Sequence, residues 1–199
     1  MERLDGRKAT LDVEHNIAGH RVMVDAVERL KPQIVAAADL LAGAFGRGKK
    51  LLVCGNGGSA ADAQHIAAEF VGRFLMERKP MPALALHTNT SAVTAIGNDY
   101  GFEEVFARQV LAHGAEDDVL WAISTSGKSP NVLRAMHAAR ETGMRVIAMT
   151  GAGGGDMAKL CDVLLAVDVP STPRVQEGHI LIAHIICGLV EEALWSQTR

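Results

Sequence analysis

Five short runs that are apolar from end to end constrain this chain more than any other feature: Leu51-Leu52-Val53-Cys54, Ala83-Leu84-Ala85-Leu86, Val119 to Ile123, Val146 to Met149 and Val163 to Val167. A strand with one wet face alternates apolar and polar residues, so runs that do not alternate belong to strands covered on both faces. Helical stretches separate the runs, and connections of that length join parallel neighbours by right-handed crossovers. The expected fold is α/β, a doubly wound five-stranded parallel sheet flanked by helices. Ahead of the sheet, Leu11, Ile17, Val22, Val24, Val27 and Leu30 recur at helical spacing, and Pro32 opens a second helical stretch through Phe45. Residues 1–48 therefore read as a helical N-terminal extension to an α/β core over 49–199, together one domain. Arg174 to about Trp195 reads as one long helix that is apolar almost all round, a kind usually buried, here between subunits.

Several function classes drop out early. With 20 Lys+Arg against 23 Asp+Glu and no long basic run, the chain lacks the electrostatic footprint of a general nucleic-acid binder. Met1 to Asn16 has no apolar core of signal-peptide type, and no run of about 18 apolar residues occurs, so the expectation is a cytoplasmic protein that does not engage a membrane. Cys54, Cys161 and Cys187 are odd in number, widely spaced and set among apolar neighbours, which predicts reduced core residues.

In an open α/β sheet, ligands sit at the carboxyl ends of the strands. Those ends carry the unusual sequence: Gly55-Asn56-Gly57-Gly58-Ser59, Ser124-Thr125-Ser126-Gly127-Lys128-Ser129 and Gly151-Ala152-Gly153-Gly154-Gly155-Asp156. The first loop formally satisfies G-x-G-x-x-A, but the second strand ends in Leu86-His87-Thr88 with no acid for a ribose, so the dinucleotide reading loses its second contact. What remains is a glycine turn offering backbone N–H groups and the Ser59 hydroxyl to a small anion or sugar hydroxyl, or simply a tight strand-to-helix turn. The serine loop places four hydroxyls within six residues ahead of a helix beginning at Pro130; an ordinary N-cap uses one of them, so the loop reads as a phosphate cradle.

Two histidine positions stand out. His65 and Glu69, four apart, share one face of the helix after the glycine loop, as metal ligands, as base and partner, or as a solvated pair. His184 lies inside Ile180-Leu181-Ile182-Ala183-His184-Ile185-Ile186, where burial demands a partner, as a functional group or as a satisfied core histidine. Gln176 precedes it by eight residues, roughly 12 Å of helix rise. Asn98-Asp99-Tyr100-Gly101, after a short helix, offers further polar groups or an ordinary turn.

Four segments in this order, Cys54 to Phe70, Ala95 to Gly101, Ser124 to Ser129 and Arg174 to His179, make the chain resemble the phosphoheptose isomerases of the SIS (sugar isomerase) fold. The resemblance implies interconversion of sedoheptulose 7-phosphate and D-glycero-D-manno-heptose 7-phosphate, the entry to bacterial heptose used in lipopolysaccharide. It also implies a homotetramer with sites between subunits and one zinc per site. Carried over residue by residue, His65, Glu69, Gln176 and His184 match the metal set, and Glu69 and His184 the proposed base and acid. Asn56, Gly57, Gly58, Ser59, Asn98, Asp99, Ser124, Thr125, Ser126 and Ser129, with Glu69 and Gln176, match the sugar-phosphate contacts. Where some members have a carboxylate shortly before the glutamine, this chain has Ser171-Thr172-Pro173. A related adaptor group that binds the bacterial replication initiator shares the glycine and serine loops but lacks counterparts of Glu69 and His184, so retention of both favours the enzyme. A sugar-phosphate-sensing regulator would add a DNA-binding domain, and no basic recognition helix precedes the first strand.

Overall fold

The computed structural model describes residues 5–196; the first four and last three residues of the expected 1–199 domain lie outside the described residues. Asp5 starts the chain's first helix, α1 (Gly6–Glu28), its carboxylate accepting from the Arg7 and Lys8 amides. A proline in the first turn opens α2 (Lys31–Gly46). There follow β1 (Leu51–Cys54), α3 (Gly58–Val71), β2 (Ala83–Ala85), α4 (Thr90–Tyr100), a 3₁₀ turn at Phe102–Glu104 and α5 (Ala107–His113). The second half comprises β3 (Val119–Ser124), α6 (Pro130–Glu141), β4 (Arg145–Gly151), a 3₁₀ turn at Gly155–Lys159, β5 (Val163–Val167) and α7 (Thr172–Trp195).

All five apolar runs are strands of one parallel sheet in the order β2-β1-β3-β4-β5. Leu51, Val53, Val119, Trp121 and Ile123 point into a core shared with α1, α2, α3 and α7. Leu52, Cys54, Leu120 and Ala122 point the other way, into a core built with α5 and α6. The inner strands β1, β3 and β4 thus keep their period of two while both faces are dry, which is why their runs do not alternate; the edge strands β2 and β5 are only partly covered.

Three expectations change. Cys54 and Cys187 are core residues whose thiols burial pushes up to about 12, but Cys161 is only half-buried. Asn98, Asp99 and Tyr100 form the last turn of α4, not a turn beyond it. His184 is half-buried rather than enclosed, because α7 turns Val175, Ile182, Ile186 and Val190 inward and leaves His184 and Ile185 toward its open side. By length and composition α7 could cross a membrane; here it packs along α1, α2 and α3 as a core helix.

The histidine that α7 does bury is His179, one residue past Gly178 and fully enclosed. Its Nε2 donates to the Thr150 carbonyl at 3.0 Å, tying α7 to the end of β4, and its Nδ1 has no partner. Burial pushes the imidazole down to about 4, against the hydrogen bond that favours its protonated form. Above pH 6.5 the imidazole is neutral folded or unfolded. Between pH 6.5 and 4 the unfolded chain takes a proton that the folded chain refuses, so stability is lost as pH falls, by up to about 3 kcal/mol from this group. Urea unfolding across that window should show the decline in the wild type and a shallower one in His179→Gln, which keeps a donor toward Thr150; equal slopes would remove His179 as the cause.

Candidate active site

The order of strands reverses between β1 and β3, which run parallel, and the glycine and serine loops follow the carboxyl ends of those two neighbouring strands. Asn56 joins them. Its amide makes a reciprocal pair with that of Asn131, in the first turn of α6, both hydrogen bonds at 2.8 Å. Asn131 is buried, and sequence reasoning missed it, although its place directly after Ser129-Pro130 marks it as a first-turn residue. Gly58 begins α3 so close to α7 that a Cβ there would stand 2.4 Å from the Gln176 Nε2. Ser59, expected to offer its hydroxyl, is 96% covered, its relative exposure being 4%.

The serine loop is a connected set of hydroxyls. Ser124 Oγ lies 2.8 Å from Ser129 Oγ and 3.3 Å from Ser126 Oγ, whose oxygen accepts from the Lys128 amide at 3.2 Å. Ser129 stands at the N-cap of α6 without capping it, its hydroxyl turned to Ser124 instead. The third loop buttresses this one. Gly127, at φ +64°, would bring a Cβ within 2.3 Å of the Gly154 carbonyl oxygen, while its own carbonyl accepts from the Asp156 and Met157 amides. The glycines of residues 151–155 thus shape the serine loop from behind.

Two turns along α3 from the glycine loop, α3 and α7 bring three donors together. His65 Nε2 lies 2.9 Å from Glu69 Oε1 and 3.5 Å from His184 Nε2, and the three ligand atoms are all within 4.8 Å of one another. Two imidazoles and a carboxylate, with a further position open, are a donor set that catalytic zinc sites use, so these residues fit a divalent metal. The ring of Phe74 lies against His184, centroids 5.4 Å apart. One turn before His65, Asp62 buries an unpartnered Oδ2; burial pushes its carboxyl up, with His65 opposing. Asp62 and Phe74 were also invisible as site residues in the sequence.

Not every expected residue joins this group. Gln176 lies with its amide at Gly58, about two turns of α3 before His65. Asn98 and Asp99 hydrogen-bond each other at 2.7 Å on the exposed end of α4. Thr125 gives its carbonyl to the Gly151 amide, half-buried in the loop. A cavity of about 430 Å³ does exist elsewhere, lined by Leu52, Pro80, Met81 and Leu84, but it opens at the amino ends of β1 and β2. Ligand chemistry in this architecture belongs to the opposite edge.

The sequence profile of the SIS domain matches residues 17–151. The phosphoheptose isomerase of Nitratidesulfovibrio vulgaris is 55% identical over 183 residues, 92% of this chain and 88% of that protein. That of Rhodospirillum rubrum is 57% identical over 165 residues, 83% and 88% of the two chains. The structure of the phosphoheptose isomerase from Neisseria gonorrhoeae superposes with a TM-score of 0.86 at 46% identity, covering 92% of this chain and 98% of that one. The fold and the two loops at its switch point define an SIS-domain protein. Within that class the chain belongs to the phosphoheptose isomerase family.

The Asn56–Asn131 pair gives a direct test of how the loops are held. Asn131→Ala leaves the Asn56 amide without its partner and should lower unfolding free energy by about 1–3 kcal/mol in urea titration; an unchanged midpoint would show that the pair does not hold the loops.

Proposed function

We propose that the chain is a cytoplasmic aldose–ketose isomerase that interconverts sedoheptulose 7-phosphate and D-glycero-D-manno-heptose 7-phosphate, the first step toward bacterial heptose for lipopolysaccharide and related glycans. The observation that carries this reading is the convergence of Glu69 with two histidines on α3 and α7, in a chain whose strand ends at the switch point carry the glycine and hydroxyl-rich loops.

Isomerisation removes a proton from C1 of the ketose, passes through an ene-diolate and sets a proton on C2 of the aldose. Glu69 takes the C1 proton and returns it to C2, through the oxygen that does not face His65. His184 handles the oxygens, giving a proton to O2 as O1 loses one. His65, Glu69 and His184 would hold a zinc ion, one per subunit, and such an ion supplies positive charge where oxygen becomes negative; Gln176, the fourth residue of the family's set, lies at Gly58 and is outside this group. Ser124, Thr125, Ser126 and Ser129 receive the phosphate, a role supported by hydroxyls already gathered 2.8 and 3.3 Å apart around Ser124. Asn56, Gly57, Gly58, Ser59, Asn98, Asp99 and Gln176 receive the sugar. No carboxylate stands at Ser171-Thr172-Pro173, and none is assigned a role there. The working unit is a homotetramer. Support comes from Leu11, Val13 and Ile17 of α1, all at least half exposed at 59%, 58% and 50%, an apolar stretch a lone chain leaves wet.

Turnover of sedoheptulose 7-phosphate, measured before and after chelation and again with zinc restored, tests the reading: loss on chelation and recovery with zinc are expected, and no turnover under any condition would return the chain to the adaptor class. Glu69→Gln should fold and bind phosphate while kcat falls about 10²- to 10⁴-fold, the span a general base contributes; near-wild-type turnover would refute the base. Ser124→Ala with Ser126→Ala should raise KM about ten-fold or more, since hydrogen bonds to a charged group are the strong ones; an unchanged KM would count against the cradle.

A further inference from the structure

Between α3 and β2 the chain makes a loop, residues 72–82, that closes over the far end of the His65–Glu69–His184 group. It is held by a buried ion pair. Arg78 Nε donates to Glu191 Oε1 at 2.9 Å, and the two side chains are 0% and 1% exposed. The Glu191 carboxylate also accepts from the amides of Phe74, Leu75 and Met76, at 2.9, 2.8 and 2.8 Å. The guanidinium donates its remaining N–H groups to the carbonyls of Glu69 (2.7 Å), Phe70 (2.7 Å), Gly72 (3.0 Å) and Lys79 (3.1 Å), and the Trp195 ring lies 5.8 Å from it.

A buried ion pair is poor evidence of stability for its own sake, because an apolar replacement often serves as well. What this pair binds is more telling. Of the carbonyls on the Arg78 side, those of Glu69 and Phe70 belong to the last turn of α3 and that of Gly72 to its C-cap, where acceptors have no helical partner, while that of Lys79 lies in the loop itself. The amides on the Glu191 side belong to the segment that lays the Phe74 ring against His184, tilted by 31°. One clasp therefore fixes the backbone that carries the carboxylate and the packing of the imidazole opposite it.

We propose that Arg78, locked by Glu191, is a positioning residue for the isomerisation, setting Glu69 and His184 in register; this rests on the isomerase reading above. Arg78→Lys keeps the charge but cannot span Glu191 and the α3 carbonyls with a rigid fork. Phe74→Leu leaves the clasp whole and removes the ring from His184. Outer partners of this kind typically change activity or metal affinity 10- to 100-fold, so both variants should lose about that much kcat with KM held within about two-fold. A merely structural role would lower the thermal midpoint and leave kcat of the folded fraction alone.

Co²⁺ titration of the chelated protein, followed by visible absorption, supplies the second readout. Weaker Co²⁺ binding and an altered band in the variants are expected. Should wild-type protein fail to turn over sedoheptulose 7-phosphate, the isomerase reading falls, and the Co²⁺ comparison alone decides the clasp. If Arg78→Lys does not fold, Phe74→Leu decides. Folded variants with wild-type kcat and wild-type Co²⁺ binding would overturn the proposal.

Discussion

Helix α3 lies beside α7 on one face of the sheet, and that contact is the one on which the rest of the site depends. Gly58 meets Gln176, His65 meets His184, and the loop after α3 meets Glu191, so the numbers rise together and the helices run side by side in the same direction. A helix repeats every 3.6 residues, and Gln176, His184 and Glu191 fall close enough to whole turns to share one flank of α7. The small residue at Gly58 sets how closely the helices approach at one end, and the Arg78–Glu191 clasp sets it at the other. Any change in that spacing moves the donors at the centre.

The sheet contributes in a different way. Because β1 and β3 are neighbours at the switch point, the loops that follow them are close without any dedicated contact. Reciprocal amides of Asn56 and Asn131 fix that proximity, and Gly127 seated on Gly154 fixes the height of the serine loop. Rigid elements therefore deliver both halves of the site, the helices bringing the titratable groups and the strand ends bringing hydroxyls. This division suits a reaction in which the phosphate must stay still while protons move between adjacent carbons.

Sequence made the scaffold legible because its inner strands are buried on both faces, a condition that leaves an unbroken apolar run at Leu51 to Cys54 and at Val119 to Ile123. The His65–Glu69 spacing was equally plain, since one turn of helix is local. Their meeting with His184 is a matter of helix packing across a sequence separation of 119 from His65, and no periodicity encodes it. His184 misled for a related reason: its apolar neighbours suggested enclosure, yet the side of α7 that carries it faces the opening between α3 and Phe74. Arg78 and Glu191 were invisible because each looks like an ordinary surface charge until the fold brings them together. His179, the histidine that truly is enclosed, closes one of the four family segments, yet nothing in the sequence marks it as the buried one.

In the proposed isomerisation Glu69 moves a carbon-bound proton within this packed pair of helices. Exchange of the C1 hydrogens of sedoheptulose 7-phosphate in D₂O, followed by NMR, reads that step without requiring product release. Deuterium should enter C1 with wild-type protein and almost none with Glu69→Gln; exchange by Glu69→Gln at the wild-type rate would remove Glu69 as the base.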